Sequence, residues 1–331
     1  ITSLSGNAFY YFGREELKQK LILIEDLDGA ENVLYPLREL QSKRRISKTV
    51  TLKDNKGNLK TITLVVEGPV CVSGCTTRER IYEDNANRCI LLYIDDSLEQ
   101  DKRIMTYQKA LSSAQINHST EQEVKTKLQN VQRVLRPIKV VNPYAELIDL
   151  PEEVFKPRRT LLLLLSFIET ITFYHQYQRK FKQNEFGESY IESEKSDVEA
   201  AFSLLKEVLF SKSDELSKAS RRFLERLKGM IKEGECFTSS QIRKQLRMNV
   251  SNVKRYLIEL QRYGYLKVKG GSRYRGFEYE IQDYAEYDDM RNHIEQKLSV
   301  ILNKIDEKSG PVVQSGSVAQ MVHSSSREPV S

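Results

Sequence analysis

The feature that most constrains the fold of this chain is a short apolar run that ends in acidic residues. Leu21-Ile22-Leu23-Ile24 is followed at once by Glu25-Asp26-Leu27-Asp28. A continuous apolar run of this length predicts a parallel strand that is buried on both faces. In an open parallel sheet, ligands bind beyond the carboxyl ends of the strands, so the sequence predicts an acidic ligand site there. The alternative is a structural strand followed by a solvated acidic turn.

The segments that follow predict a mixed α/β fold. A helix is expected over residues 31–42, and alternating residues on both sides of Gly57 predict a β-hairpin over 49–66. Val70–Ser73 and Cys89–Ile94 are apolar runs that predict two more buried strands. Amphipathic helices are expected over residues 102–114 and 121–135. Residues 136–210 are predicted to be all-helical, with a long helix over 159–182.

The charge of the chain is concentrated in its C-terminal part. The whole chain has a net charge of only +6, whereas residues 221–282 contain fifteen basic and six acidic residues. An argument for nucleic-acid binding therefore depends on where the charge lies. In this region three helices, over 222–233, 241–246 and 252–263, precede a hairpin over 266–281 that contains Gly270-Gly271. This order predicts a winged helix-turn-helix.

The predicted winged helix carries a set of outward polar and basic side chains. The second helix of its turn presents Asn252, Lys254 and Arg255, and its wing presents Lys267, Lys269, Arg273 and Arg275. Such side chains predict contacts with DNA phosphates that position the domain without reading a base sequence. The alternative is a winged helix that docks on another protein.

The earlier hairpin carries lysines near its tip. Lys53, Lys56 and Lys60 can contact the phosphates of a DNA strand, which gives affinity without sequence preference. The alternative is that lysines guard the edge of the hairpin against aggregation.

The succession of these motifs resembles the nucleoside-triphosphatase core of AAA+ motors, and among them the MCM-like helicases. It is also similar to the C-terminal motor of primase–helicase proteins of phages and mobile elements. The resemblance covers about residues 1–285. It implies a partial AAA+ core over residues 1–135, in which the hairpin precedes the sensor-1 strand, and a helical lid over 136–215. A winged helix over 216–285 and a helix with a flexible tail over 286–331 would follow.

The resemblance also implies roles for particular residues. Glu25 and Asp26 would be the catalytic acid pair that holds Mg²⁺, although relatives usually have Asp before Glu. Thr76 or Thr77 would sense the phosphates of ATP, and Arg88 would be the finger that reaches the nucleotide of a neighbouring subunit. Arg158 or Arg159 would contact the nucleotide from the lid. From the residues alone, the two threonines also fit a turn at a strand end, and Arg88 also fits a surface ion pair.

A phosphate-binding loop of the form G-x-x-x-x-G-K-[ST] does not occur in the sequence. We expect this loop to lie upstream of Ile1 in a longer gene product, and a motor that no longer hydrolyses ATP is the alternative. Without the backbone amides and the lysine of the loop, binding of ATP loses its main anchor. The chain by itself is therefore expected to be a poor ATPase.

The sequence thus predicts the C-terminal part of an ATP-dependent DNA helicase or primase–helicase that acts in replication of a mobile element or phage. The protein is expected in the cytoplasm as a ring, a hexamer by resemblance, on single-stranded or forked DNA. No apolar run is long enough to span a bilayer, so no membrane partner is expected. The alternative is a DNA-binding replication initiator or transcriptional regulator that has no ATPase activity.

Overall fold

The computed structural model describes residues 5–53, 57–77, 88–116, 118–272 and 275–309. The fold is mixed α/β, and its buried apolar side chains form three cores. One core lies in the N-terminal unit, one in a helical unit, and one in a C-terminal unit with a small sheet. None of the described helices is long and apolar enough to cross a bilayer.

The N-terminal unit is built on two parallel strands. Strand β1 (Lys20–Ile24) pairs with β4 (Val70–Gly74), and the register places Ile24 opposite Gly74. Helix α1 (Glu31–Lys43) packs with β1 and β4 in the N-terminal core. The two strands therefore end side by side at the same edge.

The other face of β1 is not covered by the described residues. Leu21 and Leu23 are 60% and 56% exposed, whereas Ile22 and Ile24 are buried. The prediction of a strand buried on both faces is wrong for the described chain. Burial of both faces needs a layer on each side, and the described residues supply one.

The predicted hairpin is present as strands β2 (Arg45–Lys53) and β3 (Leu59–Glu67), which pair antiparallel. Ile46 and Val66 lie opposite one another near its base and are buried in the N-terminal core. The base of the hairpin is therefore held by the core, while its outer part is exposed.

Cys89–Ile94 does not form the strand that its apolar sequence predicts. The segment is irregular, Leu92 and Ile94 are 84% and 88% exposed, and Ile90 packs against the helical core. Two contacts attach the end of the segment and the residues after it to the C-terminal unit. The Lys218 ammonium lies 5.7 Å from the ring centre of Tyr93, and Arg222 forms an ion pair with Asp96. A strand forms only where it pairs with a neighbour, and the segment pairs with none of the described strands although β1 and β4 pair only with each other.

Helices α2 (Leu98–Ser112) and α3 (His118–Val134) follow this segment. No side chain of α2 is buried. The end of α3 is attached to the helical unit, since the Gln132 amide donates a hydrogen bond of 2.7 Å to the Tyr174 hydroxyl.

The helical unit contains α4 (Pro157–Tyr174) and α5 (Lys195–Ser213), which pack together around Leu164, Ile168 and Leu205. The prediction that this region is all-helical is wrong, because it also holds a three-stranded sheet in the order β5-β7-β6. The strands are Lys139–Val141, Lys182–Gln183 and Ser189–Glu192.

Helix α4 ends at Tyr174, well before residue 182 of the predicted helix. The chain then makes a 3-10 turn over Gln176–Gln178, and the buried Gln176 side chain accepts the backbone N–H of Arg136 at 3.0 Å. This tertiary hydrogen bond favours the turn over a continued helix.

The C-terminal unit has the order helix, strand, helix, helix and two strands, and its sheet order is β8-β10-β9. This is the topology of a winged helix. Phe223, Leu224, Val253 and Leu260 are among its buried core side chains. The elements are α6 (Lys218–Lys228), β8 (Cys236–Thr238), α7 (Ser239–Leu246), α8 (Val250–Arg262), β9 (Leu266–Ser272) and β10 (Gly276–Ile281).

The final helix, α9 (Glu286–Ser309), returns to the helical unit. Its buried residues Ile294, Leu298 and Ile301 belong to the core of α4 and α5. The helix is therefore a structural part of that unit rather than a separate appendage. The tail over residues 310–331, predicted to be flexible, lies outside the described residues.

A buried arginine joins the winged helix to the helical unit. Arg221 of α6 is 4% exposed and donates hydrogen bonds of 2.8 and 2.7 Å to Asp214, which follows α5. Its guanidinium also lies 4.4 Å from the ring centre of Tyr287 on α9. The Tyr265 hydroxyl accepts from Arg221 and donates to Glu286, so one buried group connects both ends of the winged helix to its support.

Candidate functional site

The carboxyl ends of β1 and β4 bring the predicted acids and threonines to one edge. The Cys75 backbone N–H donates to the Ile24 carbonyl at 3.2 Å, and the Leu27 N–H donates to the Cys75 carbonyl at 2.9 Å. These bonds continue the pairing of the two chains beyond the strands. Glu25 and Asp26 are both exposed at this edge.

The carboxylate that contacts the threonines is Asp28, which the sequence analysis did not select. The Thr76 hydroxyl donates to Asp28 Oδ1 at 2.6 Å, and the Thr77 hydroxyl donates to Asp28 Oδ2 at 3.1 Å. Asp26 in turn accepts the backbone N–H of Asp28 at 2.9 Å. We name the set Glu25, Asp26, Asp28, Thr76 and Thr77 the acidic edge. Asp28 follows Glu25 and Asp26 in the same short acidic stretch after β1. Its position in the sequence was therefore the signal that could have identified it.

The acidic edge offers exposed carboxylates at Glu25 and Asp26. Exposed carboxylate oxygens are ligands that Mg²⁺ accepts, and this ion commonly uses one or two carboxylates together with phosphate oxygens and water. Among the described residues no group of three or more His, Cys, Asp or Glu side chains could hold a metal ion. That Glu25 and Asp26 hold a magnesium–nucleotide complex stays a prediction.

Gly74 allows the side chain of Leu27 to pack closely against the end of β4. A Cβ added there would lie 2.8 Å from Cγ of Leu27, which stands between Asp26 and Asp28. We expect Gly74→Ala to lower the free energy of unfolding by about 1–3 kcal/mol, because the added methyl overpacks this contact. Urea denaturation measures the change.

Gly229→Ala is the matched control for this substitution. Gly229 has a helical backbone with φ −71°, and a Cβ there would meet its nearest atom at 3.6 Å. We expect a change within about 0.5 kcal/mol. Equal losses in the two variants would contradict the close approach of Gly74 and Leu27.

Arg88 bonds to α1. Its guanidinium donates a hydrogen bond to the Ser42 hydroxyl, and the side chain is half-buried. The surface ion pair that Arg88 also fits would use an acid such as Asp84, which lies outside the described residues. The role of Arg88 as a finger toward a neighbouring subunit stays a prediction.

Arg158 and Arg159 lie in the first turn of α4, where Arg158 is exposed and Arg159 half-buried. This turn contains no acidic residue, and its N-cap, Lys156, makes no side-chain capping bond. The helix that carries them packs against α5 in the helical unit. Their contact with a nucleotide stays a prediction.

The winged helix presents a basic surface on its two turn helices. Asn252, Lys254 and Arg255 are exposed on α8, and the Arg255 guanidinium lies 4.9 Å from the ring centre of the buried Tyr256. Three more exposed basic residues, which the sequence analysis did not select, are Arg243, Lys244 and Arg247 on α7 and at its end. Amphipathic spacing on α7 was the signal that could have found the first two.

The wing is less basic than its sequence predicts. Lys269 forms an ion pair of 2.9 Å with Glu280 on the neighbouring strand. The hydrogen bond from Lys269 lowers the pKa of Glu280, and the same bond raises the pKa of Lys269. Lys267 and Arg275 are exposed, and Arg273 lies outside the described residues. The helices rather than the wing thus carry most of the positive surface.

The hairpin lysines do not share one surface. Lys53 and Lys60 are both exposed near its tip, but alternation along the paired strands places them on opposite faces. Lys56 lies outside the described residues.

No protein-family model matches this chain, and no curated protein matches it. One solved structure with a similar part is a mutant MarR from E. coli. It has 16% sequence identity, and the match covers 32% of this chain and 74% of that chain, with a TM-score of 0.21. A likeness this weak carries no argument, so the winged helix is described from its strand order and core alone.

Proposed function

We propose that this chain is the DNA-handling part of an ATP-dependent, MCM-like helicase motor that acts in replication of a mobile element or phage. The observation that carries the proposal is the parallel register of β1 and β4. It places Glu25 and Asp26 at the edge where Asp28 holds Thr76 and Thr77. Acids at the end of one parallel strand beside hydroxyls at the end of the next suit a magnesium–nucleotide complex.

The residues of the acidic edge have two different roles in this proposal. Glu25 and Asp26 offer exposed oxygens to the metal, and Asp28 orients the two threonine side chains at the same edge. Magnesium, when bound, offsets the negative charge of the phosphates. The phosphate-binding loop would come from residues outside this sequence, and a ring of subunits would bring Arg88 to the nucleotide of a neighbour.

The winged helix supports the DNA part of the proposal. Lys254 and Arg255 are exposed on α8, and Arg243 and Lys244 are exposed on α7. Cations that cluster on one pair of helices attract phosphates in any sequence context, which suits a motor that moves along DNA.

The second candidate is a DNA-binding initiator or regulator without ATPase activity. The favouring observation is that Asp28 already engages both threonine hydroxyls. In this alternative the acidic edge is a structural turn, and the winged helix alone carries the function.

Nucleotide binding separates the two candidates. We expect the chain alone to hydrolyse ATP weakly or not at all, and an upstream segment with a phosphate loop to restore hydrolysis. In the restored protein, Glu25→Gln with Asp26→Asn is expected to weaken Mg²⁺-dependent binding of a fluorescent ATP analogue by about 10–100-fold, because metal ligands are lost. Titration of Mg²⁺ at fixed analogue concentration measures the change.

Asp288→Asn with Asp289→Asn is the matched control, since these acids are also adjacent and exposed. It should leave Mg²⁺-dependent binding unchanged. Mg²⁺-dependent binding and hydrolysis that both survive loss of Glu25 and Asp26 in the restored protein would remove the motor proposal and leave the regulator. Hydrolysis that survives Arg88→Ala in the restored protein would remove the finger role.

A further inference from the structure

The outward face of the β2–β3 hairpin carries a regular set of hydroxyl groups. In a two-stranded ribbon alternate residues point to the same side, and opposite residues of an antiparallel pair share that side. Thr49 lies opposite Thr63, and Thr51 lies opposite Thr61. All four side chains are exposed, as is Ser47 on the same side. We name these five residues the hydroxyl face.

The opposite side of the ribbon is the one that packs. Ile46 and Val66 are buried there, and Lys48 on that side donates a hydrogen bond of 2.7 Å to Asn7. The Lys48 ammonium also lies 5.5 Å from the ring centre of Tyr10. The hydroxyl face is therefore turned away from the N-terminal core along the whole ribbon.

The hydroxyl groups of this face are fixed in pairs. Thr49 and Thr63 hydroxyl oxygens are 3.1 Å apart, and those of Thr51 and Thr61 are 3.3 Å apart. Each pair uses one hydroxyl hydrogen internally, so the second hydrogen and further lone pairs remain for a ligand. Successive pairs lie about 7 Å apart along the strands.

Positive charge stands at both ends of this face. Arg45 and Lys53 are exposed on the same side at the two ends of β2. The acid of this side, Glu67, forms an ion pair of 2.7 Å with Arg14, and the hydrogen bond from Arg14 lowers the pKa of Glu67. A ligand that approaches the face therefore meets hydroxyls flanked by two cations, with the exposed Leu59 opposite Lys53. The two cations fit a polyanion.

The composition and width of the ribbon favour double-stranded over single-stranded DNA as the polyanion. Platforms for single strands stack bases on aromatic side chains, and residues 45–67 contain no aromatic residue. A ribbon of two strands about 5 Å apart enters the DNA major groove, which is about 12 Å wide. Threonine and serine hydroxyls bond to base edges and to phosphates there.

We propose that the hydroxyl face lies in the major groove of duplex DNA, with Arg45 and Lys53 on the flanking phosphates. The inference rests on the proposed function only in that the chain handles DNA. In this inference DNA is contacted by one face of the hairpin, rather than by the lysines at its tip as a group. Lys53 belongs to that face, and Lys60 does not.

Lys53→Gln and Lys60→Gln form a matched pair of variants, because both lysines are exposed near the tip and differ in face. Binding of labelled duplex is measured by fluorescence anisotropy in a chain that also carries Lys254→Gln, Arg255→Gln, Arg243→Gln, Lys244→Gln and Arg247→Gln, which removes the basic surface of the two turn helices. Lys53→Gln is expected to reduce the slope of log K against log salt by about one, and Lys60→Gln to leave it unchanged. Equal effects of the two variants would overturn the proposal.

Thr49→Val with Thr63→Val tests the hydroxyls, since valine keeps the shape and the strand preference of threonine. We expect about tenfold weaker duplex binding and unchanged circular dichroism. Duplex should bind more tightly than either single strand, and a major-groove ligand such as methyl green should compete where netropsin does not. Tighter binding of single strands, or competition by netropsin alone, would overturn the proposal.

The test separates failure of this inference from failure of the proposed function. If the hairpin binds no duplex while the winged helix does, the inference falls and the proposed function stands. If neither binds DNA, the proposed function falls as well.

Discussion

Replacement of Asp197 by asparagine is expected to lower the free energy of unfolding by about 3–5 kcal/mol, because it removes one partner of a buried charge pair. Asp197 is fully buried in α5. It accepts hydrogen bonds of 2.6 Å from Arg179, 3.0 Å from the Thr172 hydroxyl and 2.9 Å from the Glu194 backbone N–H. His175 Nδ1 lies 3.0 Å from Oδ1, the oxygen that also accepts the hydrogen bond from Arg179. Asparagine keeps the shape but leaves Arg179 with only the exposed Glu194, 3.3 Å away, as its counter-charge.

The cost of this substitution is expected to depend on pH. Burial alone raises the pKa of Asp197, but the hydrogen bonds from Glu194, Arg179 and His175 outweigh burial and hold the pKa below its ordinary value. A carboxyl whose pKa is lower in the folded state contributes stability above its unfolded pKa, about 4 for Asp. That stability is lost as the pH falls through the folded pKa. The difference between wild type and Asp197→Asn should therefore be largest at neutral pH and shrink in acid.

Urea denaturation at neutral and acidic pH measures this difference. Asp306→Asn is the control, because Asp306 is an exposed carboxyl that pairs with Lys195 at 2.7 Å. Exposed pairs contribute about 0–1 kcal/mol, so little change is expected. A loss for Asp197→Asn no larger than for Asp306→Asn would show that the buried network does not hold the helical unit together.

Neutralisation of Lys254 and Arg255 on α8 is expected to weaken binding of duplex DNA by ten- to a hundredfold. Both side chains are exposed on the helix that a winged helix places against DNA. Loss of two phosphate contacts removes about two released counterions, so the slope of log K against log salt should fall by about two. Titration of labelled duplex at several salt concentrations, with Lys254→Gln and Arg255→Gln combined, measures both quantities.

Lys125→Gln with Lys127→Gln removes the same charge from α3, where both residues are exposed. This control should leave affinity and salt slope nearly unchanged. An equal loss in the two double variants would mean that net charge, and not the winged helix surface, carries binding. Lys269→Gln should have a smaller effect than either α8 residue, because Lys269 is already paired with Glu280.

Much of the fold could be predicted from local patterns. The alternation around Gly57 and the helical spacing of Val253, Tyr256, Leu257 and Leu260 predict their elements, because the apolar side chains of one element share one face. The run Leu21–Ile24 predicts a strand by its length and composition, although only Ile22 and Ile24 are buried. The small sheet β5-β7-β6 was missed because strands of two to four residues are too short to show alternation.

The candidate site was predicted in part. Acids after one parallel strand and threonines after the next could be placed at a common edge, since parallel strands end together. The hydrogen bonds between Asp28 and the threonines could not be predicted from the sequence. They depend on how the loop after β1 turns, and Leu27 of that loop packs against Gly74, which has no side chain.

The amino-acid sequence alone determined which segments bury an apolar face and where the charges gather, since both follow from the residues of each segment. Only the tertiary structure decided which segments find a partner. Cys89–Ile94 has the composition of a strand but pairs with none of the described strands, and α9 follows the winged helix yet completes the core of α4 and α5. Pairing and packing join residues far apart in the chain, so their free energy depends on neighbours that no local pattern contains.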